Sequence, residues 1–162
     1  MRAIDRTLVD EVWHEVSAYA PARVATEAQA FLEQQPHAAA FSQSVTSGFD
    51  PAVQKAALGL GFLLFKVLDA SLGRPFPRLA EDRILSAYAE TQAWLAARDG
   101  TAPAALLEAL EHGPHTSLPA YVLTVFYEGG AAGECDETVR ATLFCLLKTL
   151  ADALDLSRVE EE

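Results

Sequence analysis

Three observations predict an all-α protein. Nearly every segment repeats its apolar residues at helical spacing, and none alternates with a period of two over the length of a strand. Alanine and leucine dominate the 51% of residues that are apolar, and β-branched residues are sparse, which favours helix. Prolines fall where helices would begin and glycines where they would stop. The 162 residues contain no linker long enough to divide two domains. The expectation is a single all-α domain over residues 1–156, a bundle of seven to eight helices, followed by an acidic tail over 157–162.

The elements follow in order. Over 4–20, Ile4, Leu8, Val12, Trp13, Val16 and Tyr19 share one stripe. Pro21 ends that helix and suits the first turn of the next, where Val24, Ala28, Phe31 and Leu32 form a second stripe. Pro36 opens a shorter piece carrying Ala40, Phe41 and Val45, closed by a turn at 46–49. Asp50 can cap free amides and Pro51 fits the first helical position, so a strong helix is expected over 51–72. Gly73 stops it, and Pro75 and Pro77 prevent continuation. Residues 81–98 form another helix, with Ile84, Leu85, Tyr88, Thr91, Trp94 and Leu95 inward and Gly100 as its end. Pro103 starts a short helix with Leu106, Leu107 and Leu110, and Pro119 starts one with Tyr121, Val122, Val125 and Phe126. After a glycine-rich loop at 129–133, a last helix is expected over 136–156.

The two longest helices echo each other. Counted from Asp50 and from Asp136, the same five positions are apolar: Val53, Ala57, Leu60, Leu64 and Leu68 against Val139, Leu143, Leu146, Leu150 and Leu154. A duplicated helical hairpin would produce this, and so would any two amphipathic helices.

Charge excludes some functions. Net charge is −11, and it sits in the second half. Residues 1–80 hold seven Lys/Arg against eight Asp/Glu (7 − 8 = −1), whereas 81–162 hold five against fifteen (5 − 15 = −10). Such a chain is repelled by phosphate backbones and anionic lipid, and no basic stripe offsets this, so no nucleic-acid partner is expected. Acids within the first ten residues argue against a signal peptide there. Cys135 and Cys145 form no CxxC pair and read as reduced thiols of a cytoplasmic protein.

The 51–72 helix poses the sharpest question. Ten apolar residues run unbroken from Ala56 to Phe65, half of the roughly 20 that a membrane span needs. No membrane span is therefore expected. Projected at about 100° per residue, Gln54, Lys55, Lys66 and Asp69 share one sector, yet Leu58, Phe62 and Phe65 occupy the middle of that sector. Either this chain covers them, or a protein partner or second copy does, giving a homodimer interface at Leu58, Phe62 and Phe65. Gly59 and Gly61 would let a neighbouring helix approach closely.

Four motifs could carry chemistry. Glu11 and His14 form an E-x-x-H pair, the spacing used twice over in helical di-iron sites, but the second pair, Glu111 with His115, is broken by Gly113-Pro114. His112 and His115, with Thr116 and Ser117, could bind a metal or act as acid and base; a helix stop with polar caps explains them as well. Glu128, Glu134, Asp136 and Glu137 surround a flexible loop without the spacing of an EF-hand. Arg74-Pro-Phe-Pro-Arg78 presents Phe76 between two arginines, a fork for a carboxylate of this chain or of a ligand or partner. No phosphate-binding loop, dinucleotide fingerprint or nucleophile elbow is present. The sequence thus points to a non-catalytic helical binding or protein-interaction module without a cofactor. The alternative is a small-molecule- or metal-binding bundle with enzymatic activity.

Overall fold

A computed structural model describes residues 2, 4–98, 105, 119, 121, 122 and 137–154. Six helices lie among them: α1 (Arg6–Ser17), α2 (Pro21–Gln34), α3 (Pro36–Val45), α4 (Pro51–Leu72), α5 (Glu81–Ala96) and α6 (Glu137–Ala153), with no strand among the described residues. The seven to eight helices expected from sequence are thus six among the described residues. Pro119, Tyr121 and Val122 are helical, and Val122 is buried. Ala105, in the helix expected at Pro103, is helical; the rest of that helix, the loop at 129–133, Cys135 and the tail over 157–162 lie outside the described residues. None of the described helices is long and apolar enough to cross a membrane.

Local chemistry explains the helix ends. Asp5 caps α1, its Oδ1 accepting the Leu8 N–H at 2.9 Å. Prolines open α2, α3 and α4, where their missing N–H costs nothing. Asp50 makes no side-chain cap, contrary to expectation. The amides of Val53 and Gln54 already bond the Asp50 carbonyl at 3.0 and 3.1 Å. Gln54 instead ties the preceding turn, its Nε2 donating to the Phe49 carbonyl at 3.0 Å. Gly73 ends α4 at φ 72°, the left-handed conformation that favours glycine, and its N–H bonds the Asp69 carbonyl at 2.9 Å.

α4 is the central helix. It packs against α1, α3 and α6, while α5 and α6 lie side by side and α3 reaches both. Leu60, Leu63, Leu64, Val67 and Leu68 of α4 meet Leu8 and Val9 of α1 and Leu143, Leu146, Leu147 and Leu150 of α6 in one buried cluster. Of the five positions α4 shares with α6, all are buried in both except Val53, which is partly buried.

The phase of α2 differs from the expected stripe, and α3 and α5 each turn one expected residue outward. In α2 only Phe31 is buried, whereas Val24 and Leu32 are 48% and 41% exposed. In α3 the buried residues are Ala38, Ala39, Phe41 and Ser42, and Ala40 faces out. In α5 Ile84 and Thr91 are buried as expected, with Ala87 added, Tyr88 and Trp94 pack against the core, and Leu85 turns out at 55% exposed. Alanine-rich helices present weak stripes, so the neighbours choose the face. Conversely, Phe144, which interrupts the polar stripe of α6, is fully buried.

Residues 73–80 form an extended strap from α4 back across α2. Gln35, buried at the α2–α3 junction, holds it. Gln35 Nε2 donates to the carbonyls of Phe76 (3.2 Å) and Pro77 (2.9 Å), and Gln35 Oε1 accepts the Leu79 N–H at 2.9 Å. Phe76 and Leu79 enter the core. Phe76 N–H donates to Asp69 Oδ1 at 2.7 Å, linking the strap to the last turn of α4.

Candidate functional site

α2 is joined to α4 mainly through side chains, and a cleft of about 240 Å³ lies between them. Each helix lines it with one face. Glu27, Ala30, Phe31 and Gln34 stand at i, i+3, i+4 and i+7 on α2; Phe62, Phe65, Lys66 and Asp69 repeat that spacing on α4. Gln35 and Pro75 complete the lining.

Aromatic rings form the apolar part. Phe31 meets Phe62 edge-on at 6.0 Å between centroids and Phe65 at 5.9 Å. Phe76 backs Phe65 at 6.1 Å. Edge and tilted arrangements of this kind are the favoured ones for aromatic pairs.

The polar groups divide between the two ends. At one end Lys66 Nζ donates to Glu27 Oε2 at 2.6 Å. Burial pushes the Lys66 pKa down, but the bond to Glu27, with the neighbouring Tyr19 and Asp69, outweighs it and leaves the pKa raised. The same bond holds the Glu27 carboxyl below the usual carboxylate range, against the pull of burial. Arg23 supports Glu27 at 3.7 Å and lies over the Tyr19 ring at 4.0 Å. At the other end stand Asp69 and Gln34. Burial pushes the Asp69 carboxyl up, and the Phe76 N–H and Lys66 only partly offset this. Gln34 Nε2 donates to the Phe76 carbonyl at 3.1 Å.

The residues singled out from sequence are placed as follows. Phe65 is buried, and Phe62 and Leu58 are half-buried; Phe31 of α2 and Phe76 of the strap are what meet the two phenylalanines. A Cβ at Gly61 would stand 3.5 Å from Ser42 Oγ and 3.6 Å from Phe31 Cζ, ordinary contact, so the packing does not require glycine there. In the strap motif, Phe76 turns into the core. Arg78 donates to the carbonyls of Glu33 (Nη2, 3.0 Å) and Gln34 (Nε, 3.4 Å), capping the end of α2. Arg74 is exposed, with no partner among the described residues. The arginines therefore do not form one fork. Glu11 pairs with Arg2 at 2.6 Å, and His14 is exposed on the following turn. No group of three or more metal-ligating side chains occurs among the described residues. His112 and His115 lie outside them.

A second cavity, of about 320 Å³, lies between α3, α5 and α6 and is lined by Phe41, Val45, Tyr88, Leu95 and Cys145 among others. Among the described residues its lining carries no charge, and burial pushes the Cys145 thiol up to about 11, leaving it protonated at neutral pH.

Lys66 and Asp69 were visible in the sequence only as the solvent sector of the 51–72 helix. Glu27 and Gln34 gave no inward signal, because they lie beside the Val24, Ala28, Phe31 and Leu32 stripe, which suggested a different face. The i, i+3, i+4, i+7 repeat of polar and aromatic residues at 27–34 and 62–69 is the signal that could have paired them. No family model, curated protein or solved structure matches this chain.

Proposed function

We propose that this protein is a helical binding module whose site is the cleft between α2 and α4. The observation that carries this is the cleft's composition: an aromatic floor from both helices, closed by a paired Lys66–Glu27 at one end and by Asp69 and Gln34 at the other. Apolar walls with a few convergent polar groups suit recognition of a small molecule. Among the described residues the lining holds no hydroxyl, thiol or imidazole, and its ammonium is already paired, which supports binding over covalent catalysis. The acidic composition and free Cys145 support the reducing, cytoplasmic setting expected from sequence.

The test fills the cleft. Ala30 is an exposed cleft residue on α2, so Ala30→Trp adds bulk to the site without entering the core. Small aromatic probes should shift amide resonances of residues 27–34 and 62–69 in wild type, and the shifts should vanish in Ala30→Trp. Shifts that persist in the filled variant would move the site elsewhere.

A second reading is a protein partner or a homodimer. It draws on the exposed Val24, Leu32 and Leu85 and on the half-exposed Leu58 and Phe62. Sedimentation at high concentration checks it, and a monomer there removes the homodimer.

A further inference from the structure

We propose that the α2–α4 cleft takes a small organic ammonium with an apolar body, held by Asp69 as counter-ion. This rests on the cleft being the binding site. The charge within the lining is uneven: two carboxylates, Glu27 and Asp69, face one ammonium, Lys66. Glu27 and Lys66 satisfy each other at 2.6 Å, and Asp69 makes no ion pair among the described residues. The charge left over is therefore negative, and it stands at the Asp69 end.

Phe76 orients the groups at that end. Its N–H occupies Asp69 Oδ1 at 2.7 Å, and its carbonyl occupies Gln34 Nε2 at 3.1 Å. Each side chain is thereby left with an oxygen that can accept further: the second carboxylate oxygen of Asp69 and the amide oxygen of Gln34. Two acceptors from facing helices in an aromatic-lined cleft suit a protonated amine, whose N–H groups donate to both and whose apolar body packs on the rings. An anion would meet Asp69 and find the Lys66 ammonium already paired. A neutral ligand would leave the half-buried carboxylate with no lining cation among the described residues beyond Lys66, which Glu27 already engages. The volume, about 240 Å³, suits a single aryl or short alkyl body.

Three matched probes test this by calorimetric titration at low salt: 2-phenylethylamine, 2-phenylethanol and 3-phenylpropionate. The amine should bind at least about tenfold tighter than the alcohol, and the carboxylate weakest. Asp69→Asn keeps an acceptor for the Phe76 N–H and should erase the amine's advantage over the alcohol. Ala30→Trp should abolish binding of all three. If the alcohol or carboxylate matches the amine, or the amine's advantage survives Asp69→Asn, the counter-ion role is overturned and the cleft stands as a site. If no probe binds, or binding survives Ala30→Trp, both the counter-ion role and the cleft reading are overturned.

Discussion

Asp69 and Glu27 line the same cleft, yet folding moves their acidities in opposite directions. Glu27 is held below the usual carboxylate range by the Lys66 ammonium. Its contribution to stability is therefore full above the unfolded carboxyl pKa and is lost as pH falls through the depressed folded value. Asp69 is pushed up from 3.8 by burial. Its charged form costs stability at neutral pH, and that cost is relieved as pH falls through the raised folded value. Asp69→Asn should therefore be at least as stable as wild type near about pH 7, with the difference shrinking toward about pH 4; thermal melts across that range check it. An advantage that grows on acidification would contradict the assigned sign. Gln35 is the other decisive residue. Its side chain satisfies two strap carbonyls and one strap amide while only 1% exposed. Gln35→Ala leaves the Pro77 carbonyl and the Leu79 N–H without partners, while Gln34 still serves the Phe76 carbonyl, and should cost about 2–4 kcal/mol in urea unfolding. A loss below about 0.5 kcal/mol would mean that water replaces the amide.

At the scale of elements, the two glycines of known surroundings in and after α4 should respond oppositely. Gly61 has room for a methyl group in ordinary contact, so Gly61→Ala should stabilise by up to about 1 kcal/mol through helix propensity. Gly73 sits at φ 72°, so Gly73→Ala should destabilise by about 1 kcal/mol. Chemical denaturation of the two variants side by side decides this, and equal signs would refute the backbone account. Helix boundaries were largely legible: Pro21, Pro36 and Pro51 each open a helix and Gly73 ends one, because these residues act through local backbone chemistry. Helix phase was less so. α2 turns Val24 and Leu32 outward and commits Glu27, Phe31 and Gln34 to α4 and the strap. The pull comes from partners 39 to 42 residues away in sequence, and periodicity within one helix cannot register it.

At the scale of the whole molecule, α4 and α6 supply most of the buried leucines, and α1, α3 and α5 close around them. Phe144 is fully buried although it lies on the polar stripe of α6. Phe144→Ala should cost about 3–5 kcal/mol, the range for emptying a large aromatic site in a core. A cost under about 1 kcal/mol, measured by denaturant unfolding, would place Phe144 at the surface in solution. The covering of the 51–72 helix also belongs to this scale. Phe31 and Phe76 of the same chain meet Phe62 and Phe65, and the strap that delivers Phe76 is held by a glutamine from another helix junction. The Lys66–Glu27 pair likewise joins two helices that share little backbone contact.

The sequence by itself determined the helical class, the proline starts, the glycine stop after α4 and the central place of the long apolar helix. Each follows from local backbone preference or from a segment too apolar to be left in water. Only the tertiary structure decided which face α2 presents, that Arg78 caps a helix end, and that Asp69, Gln34, Glu27 and Lys66 share one cleft. Those outcomes depend on side chains that are distant in sequence meeting across a gap, and no local period encodes such a meeting.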